Sequence, residues 1–71
     1  MGVTFKPLFK LLIDRDMKKK DLQVVTGLSP ATVAKLAKDE YVSLEVLVKI
    51  CAALKVDIGD IVEIQRETET R

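Results

Sequence analysis

The sequence contains no histidine, no tryptophan and a single cysteine, Cys51. A lone cysteine excludes a disulfide within the chain, and the lack of histidine excludes the common zinc-binding patterns. The usual general base at neutral pH is missing as well, because histidine most often fills that role. We therefore predict a binding protein and not an enzyme, with no catalytic residues, no metal site and no cofactor. Cys51 itself is interpreted as a small buried hydrophobic residue.

Long apolar stretches are also missing, since the longest uninterrupted one covers only residues 50–54. A helix that crosses a bilayer needs about 20 apolar residues, and the N-terminus has no secretory signal pattern. A chain of 71 residues has room for one hydrophobic core. We expect one cytoplasmic domain over residues 1–66 with no membrane association, no separate effector domain for small molecules, and a polar, frayed tail at residues 67–71.

Charge is distributed unevenly along the chain. Residues 1–38 contain eight basic and three acidic side chains, whereas residues 39–71 contain four basic and eight acidic ones. An excess of positive charge in the first half suggests an anionic partner. The alternative is an ordinary solvated surface on which basic residues cluster by chance, and charge alone does not decide between the two.

Apolar periodicity and capping residues predict five helices, of which two precede residue 27. The first follows Pro7, which suits the first helical turn, and ends near residue 15 or 16. The second covers residues 19–26 and is ended by Gly27 in a left-handed conformation. The apolar residues expected on the inner faces of these helices are Leu8, Leu11, Leu12, Leu22 and Val25.

The third helix has the clearest start signal in the sequence. Ser29 is a good N-cap and Pro30 a good first helical residue, and Leu28 before the cap can pack on Val33. The helix is expected to continue to about residue 38. Its inner face should hold Val33, Leu36 and Ala37, and its outer face Ala31, Ala34, Lys35 and Lys38, with Thr32 on the flank.

A fourth helix is predicted after Ser43, and a short fifth helix containing Ile58 and Ile61 after Asp57. The apolar stripe of the fourth helix is Leu44, Leu47, Ile50, Cys51 and Leu54. The two ends of the chain alternate apolar and polar residues, which favours a small antiparallel ribbon, either within one chain or between two. The ends of the chain and helix five are the expected dimer surface, because the apolar residues Val3, Phe5, Val62 and Ile64 have few other places to be buried.

The joint between the second and third helices has the layout of a helix-turn-helix. Helix three has no large apolar residue on its outer face, so it can approach the base edges of a major groove. Lys18, Lys19 and Lys20 stand at the start of helix two, where cations oppose the helix dipole by about 0.3–1 kcal/mol each. A bound phosphate would explain this placement, and lysines tolerated by chance are the alternative.

Residues 19–38 (KKDLQVVTGLSPATVAKLAK), followed by SLEVLVKICAALKVDIGDIVE, resemble the phage repressor/Cro-type helix-turn-helix family of bacterial regulators. The likeness covers roughly residues 8–63 and includes Gly27 in the turn, Leu28-Ser29 after it, Val33 and Leu36, and the Ser-Leu-Glu-x-Leu start of helix four. The sequence departs from the family pattern in three features, namely Gln23, Thr26 and the acidic pair Asp39-Glu40.

The resemblance implies an all-α, five-helix lambda-repressor-like domain whose third helix enters the major groove, usually as a dimer on a two-fold operator. By family position, the base contacts are Pro30, Ala31, Thr32, Ala34 and Lys35. The phosphate contacts implied by family position are Lys19 and Lys38, and we add Lys18, Lys20 and the cap Ser29.

We therefore predict a sequence-specific DNA-binding transcriptional regulator, a small repressor that binds double-stranded DNA as a homodimer. An antitoxin-like or adaptor module that binds protein through the same fold remains an alternative, favoured by near-neutral net charge and by Asp39-Glu40. A small hydrolase using Asp14, Asp16 or Asp39 is a third alternative, but nothing in the sequence gathers these carboxylates into one site.

Overall fold

The computed structural model describes residues 2–65, which form four α-helices, one 3-10 turn and a two-stranded antiparallel sheet. Residue 66 and the predicted frayed tail at residues 67–71 lie outside the described residues. The helical fold and the pairing of the chain ends are as predicted from the sequence. The elements in chain order are β1 (Gly2–Thr4), α1 (Lys6–Asp14), α2 (Lys19–Thr26), α3 (Pro30–Ala37), α4 (Leu44–Leu54), the 3-10 turn (Ile58–Asp60) and β2 (Glu63–Gln65).

The two strands pair within one chain, which is one of the two arrangements that the sequence left open. The register places Gly2 opposite Gln65, Val3 opposite Ile64 and Thr4 opposite Glu63. The ribbon closes the domain by joining its first and last described residues.

One hydrophobic core is formed by residues from every helix. Most of the predicted inward-facing residues are indeed buried. The buried apolar residues are Phe5, Leu8, Leu12, Leu22, Leu28, Val33, Leu36, Ile50, Leu54 and Ile61.

The prediction that Val25 is buried is wrong, because 48% of its surface is exposed. The face of α2 that packs on the core contains Leu22 and, four residues later, the half-buried Thr26. Val25 is three residues after Leu22 and therefore lies to the side of that face. The helix is short and buries only one narrow stripe.

Two further residues predicted on inner faces, Ala37 and Leu44, are also exposed. On α3 the buried pair is Val33 and Leu36, and Ala37 lies beyond it. Leu44 is the first residue of α4, and the buried residues of that helix, Ile50 and Leu54, come later. In both helices the core covers part of the apolar stripe only.

The predicted fifth helix is a single 3-10 turn, Ile58–Asp60. Its start is held by Asp60, whose carboxylate accepts a hydrogen bond from the Asp57 N–H at 3.0 Å. Ile61, directly after the turn, is fully buried, whereas Ile58 is partly exposed. One turn is long enough to place Ile61 in the core before β2 begins.

Asp39 joins the end of α3 to the start of α1. Its Oδ1 accepts hydrogen bonds from the Phe5 N–H at 2.8 Å and from the Thr4 hydroxyl at 3.2 Å. The residue has a φ of 57°, a left-handed conformation that aspartate tolerates better than most residues. Asp39 therefore has a role within the fold, and its carboxylate is not a free acid beside a partner.

Arg15 makes a second long-range link, between α1 and α4. Its guanidinium donates a hydrogen bond from Nη1 to the Leu54 carbonyl at 2.7 Å. The last carbonyls of a helix have no partner inside the helix and carry the negative end of its dipole, so a cation is favourable there. The Arg15 guanidinium thus binds within its own chain, at the end of α4.

Replacing Asp39 by alanine is expected to lower the free energy of unfolding by about 1–3 kcal/mol, because the Phe5 N–H loses a charged acceptor. Urea denaturation followed by circular dichroism measures the change. Asp39→Asn keeps an acceptor and should lose less. The exposed neighbour provides the control, since Glu40→Ala should stay within about 0.5 kcal/mol. Equal losses for Asp39→Ala and Glu40→Ala would contradict the assigned role.

Candidate nucleic-acid interface

The turn between α2 and α3 depends on Gly27, whose φ is 73°. This left-handed conformation is open to glycine and strained for most other residues. The Gly27 N–H donates to the Gln23 carbonyl at 2.8 Å and so closes the last turn of α2. Leu28, the next residue, is buried and anchors the turn to the core. The predicted helix-turn-helix geometry is therefore present.

Thr26 stabilises the same turn through its hydroxyl, which explains one departure from the family pattern. The hydroxyl donates to the Leu22 carbonyl at 2.6 Å and accepts from the Leu28 N–H at 3.2 Å. An apolar residue at this position could make neither bond. A polar residue before the turn glycine thus bridges the end of α2 to the start of the turn.

Ser29 caps α3 as predicted, since its Oγ accepts a hydrogen bond from the Thr32 N–H at 3.2 Å. The two hydroxyls, Ser29 Oγ and Thr32 Oγ1, are also 3.0 Å apart. Each hydroxyl has one proton and two acceptor positions. Whichever of the two donates to the other, the pair retains one hydroxyl proton that can be offered to a phosphate or a base.

The residues predicted to contact bases lie on the outer side of α3. Four of them are exposed and Thr32 is half-buried, because Val33 and Leu36 face the core on the opposite side. The surface is made of small side chains and one long cation. The exposed residues are Pro30, Ala31, Ala34 and Lys35.

The residues predicted to contact phosphate lie at both ends of this surface. Lys18 is the N-cap of α2, Lys19 and Lys20 are its first two helical residues, and all three are exposed. Lys18 and Lys19 share a groove with Ala37, which places them near the end of α3 and near its exposed C-cap Lys38. Ser29 lies at the other end, roughly 12 Å away along a helix of this length.

The start of α2 combines backbone N–H donors with positive side chains. The Lys18 N–H donates to the Asp21 carboxylate at 2.8 Å. The first N–H groups of a helix have no partner inside it and carry the positive end of its dipole. Together with three ammonium groups, they make this helix terminus strongly positive despite Asp21.

Sequence reasoning missed Tyr41, which lies just outside the predicted contact set. Tyr41 is exposed in the turn between α3 and α4 and lines one depression with Lys35 and Glu40. An exposed tyrosine beside a cation is suited to polar contact with a partner. The available signal was that it is the one tyrosine of the chain, placed in a polar segment four residues after the end of α3.

Cys51 is half-buried and does not have the character of a nucleophile. Burial raises the pKa of its thiol, and the negative charges of Asp57 and Asp60 raise that pKa further. The thiol therefore stays protonated at neutral pH, and the thiolate is the reactive form.

Residues 2–65 offer neither a cluster of metal ligands nor a helix that could span a membrane. This part of the chain contains no group of three or more histidine, cysteine, aspartate or glutamate side chains that could hold a metal ion. Among the same residues, no helix combines the length and the apolar character needed to cross a membrane.

A capped recognition helix, a glycine turn and flanking cations define a helix-turn-helix DNA-binding domain. Residues 8–67 match the family model of the Cro/C1-type helix-turn-helix DNA-binding domain, and the chain belongs to this family. It is also similar to the crystal structure of the transcriptional regulator VanUg, with 53% sequence identity and a TM-score of 0.88. That similarity covers 93% of this chain and 88% of the other. A comparison with curated proteins found no match.

Replacing Thr26 by valine keeps the shape of the side chain and removes both hydrogen bonds across the turn. We expect the free energy of unfolding to fall by about 1–2 kcal/mol, because the Leu28 N–H loses its acceptor. Chemical denaturation checks the change. Thr26→Ser retains the hydroxyl and should lose clearly less than Thr26→Val. A valine variant as stable as the native protein would show that the hydroxyl does not hold the turn.

Proposed function

We propose that this protein is a sequence-specific DNA-binding repressor that inserts α3 into the major groove as one half of a homodimer. The observation that carries the proposal is the outer face of α3, which is exposed, made of small side chains and Lys35, and flanked by cations at its C-terminal end. Small side chains allow the helix backbone to approach the base edges closely. The similarity to the transcriptional regulator VanUg supports a role in transcriptional regulation.

Base contacts are assigned to α3. Lys35 has the length and charge to donate to guanine O6 or N7, and Ala31 and Ala34 can contact thymine methyl groups. Thr32 can use the hydroxyl proton that it shares with Ser29. Pro30, at the start of the helix, completes the set.

Phosphate contacts are assigned to the two ends of α3. Lys18, Lys19 and Lys20 with the free N–H groups of α2 form one cluster, and Lys38 extends it. Ser29 forms the contact at the opposite end. Such contacts provide most of the affinity and none of the sequence preference.

A protein-binding module of the antitoxin or adaptor type is less well supported. That alternative drew on the acidic pair after helix three, but the Asp39 carboxylate is bound to Phe5 and Thr4 within the fold. Glu40 remains as an exposed acid. The Asp39 carboxylate therefore has a role within the fold, and its presence after helix three does not by itself indicate a protein partner.

A dimer is proposed because one module of this size covers only about 600–1,000 Å² in contact with DNA, too little for useful specificity. The expected dimer surface must be corrected, since Phe5 is buried in the core of its own chain. Val3 and Val62 are half-buried and Ile64 is 55% exposed, so Ile64 is the strongest candidate.

Titration of duplex DNA at several salt concentrations tests the assignments residue by residue. Lys35→Ala should cost about 1–3 kcal/mol and relax the preference at one base position. Lys19→Ala should weaken binding to all sequences alike and make the slope of log affinity against log salt shallower by about 1.

Lys10→Ala is the matched control, because Lys10 is an exposed lysine that lies beside Asp14 and Asp60 in a separate depression. It should leave both the affinity and the salt slope unchanged. Absence of duplex binding at low salt, with a specific protein partner that covers α3, would overturn the proposal in favour of the protein-binding alternative.

Selection of bound duplexes from a random library tests the dimer. We expect a two-fold symmetric consensus with half-sites about one helical turn apart. Ile64→Lys should weaken binding to the symmetric site far more than binding to a single half-site. A consensus without symmetry, bound equally by the native protein and Ile64→Lys, would show that the protein acts as a monomer.

A further inference from the structure

An apolar groove of about 400 Å³ lies where the end of α1, the start of α2 and the end of α3 meet. Its apolar lining comes from Phe9, Leu12, Ile13, Met17 and Ala37. Ile13 is 72% exposed although it is a large aliphatic residue. A groove of this size falls within the range of small-molecule sites, about 300–1,000 Å³.

The rim of the groove is positive. Lys18 and Lys19 line it, and the Lys19 ammonium group lies 5.7 Å from the centre of the Phe9 ring. A cation–π contact of this kind holds the charge against the apolar wall. The nearby Asp21 carboxylate accepts a hydrogen bond from the Lys18 N–H, and Asp14 lines a different depression.

We propose that this groove binds a small apolar molecule that carries one carboxylate. The apolar body would cover Phe9 and Ile13, which removes apolar surface from water. The carboxylate would lie at the rim and accept hydrogen bonds from the Lys18 and Lys19 ammonium groups, and such charge-assisted bonds are stronger than neutral ones. An apolar wall with two lysines at its rim thus favours an apolar anion over either a neutral molecule or a small inorganic anion.

Binding of this molecule has a consequence for regulation, which rests on the proposed function. Lys18 and Lys19 are also assigned to a DNA phosphate, so the carboxylate and the phosphate would compete for the same ammonium groups. A ligand that binds the free protein and not the DNA complex shifts the equilibrium away from DNA. The groove would then be an effector site within the DNA-binding domain itself.

The test uses 2-naphthoate as the probe and 2-naphthamide as its uncharged counterpart, with binding to the DNA-free protein followed by probe fluorescence and by NMR. Naphthoate should bind at least about tenfold more tightly than naphthamide, because only the anion carries a negative charge that attracts the two ammonium groups. Lys19→Gln should remove most of that difference, and Ile13→Ser should weaken both probes.

Two control variants match these changes in type and exposure. Val24→Ser alters an aliphatic residue that is 77% exposed on α2 and is not part of the groove lining. Lys10→Gln removes a lysine from the separate depression beside Asp14. Neither should change naphthoate binding. Equal affinity for the two probes, or equal losses in the control variants, would overturn the proposal.

Two further measurements test whether a second copy of the chain fills the groove and whether the ligand competes with DNA. Sedimentation at the same protein concentration checks whether a second copy fills the groove. A dimer that Ile13→Ser dissociates would overturn the ligand proposal.

In duplex titrations, naphthoate should lower the DNA affinity of the native protein, and an unchanged affinity would contradict the proposed competition between naphthoate and DNA. Failure of duplex binding without naphthoate would refute the proposed function, whereas the DNA-free measurement decides the groove independently.

Discussion

Burial of Leu22, Val33 and Leu36 is the constraint on which the rest of the structure depends. Leu22 and Leu36 are completely buried, and each burial is worth roughly 1.5–3 kcal/mol. These residues hold α2 and α3 on the core by one face each. Because each helix has only one such face, the opposite side of α3 is exposed, and the DNA contacts proposed for it depend on that orientation.

The turn between the two helices keeps this packing from varying. Gly27 supplies the left-handed conformation, and the Thr26 hydroxyl connects the Leu22 carbonyl to the Leu28 N–H. The left-handed backbone of Gly27 and the hydrogen bonds of its neighbour Thr26 thus stabilise the same short turn. In the proposed function, the outer surface of α3 is thus preorganised, which lowers the entropic cost of binding.

Charge acts locally in a chain whose net charge is only +1. Some charged groups serve the fold, as Asp39 does at the start of α1 and Arg15 at the end of α4. Others, including the three lysines at the start of α2, remain at the surface where they oppose the helix dipole. The placement of charge, and not its total, therefore distinguishes the proposed DNA-binding face from the rest of the molecule.

The sequence by itself determined the four α-helices, the glycine turn and the cap at Ser29, because local rules of capping, periodicity and backbone conformation govern these features. It also placed Lys35 outward, as helical spacing from Val33 and Leu36 requires. Only the tertiary structure decided that Val25 and Ala37 are exposed, that Asp39 is bound to Phe5, and that the two strands pair within one chain. These features depend on how much of a helix its neighbours cover and on contacts between residues distant in sequence. A local sequence pattern specifies neither of them.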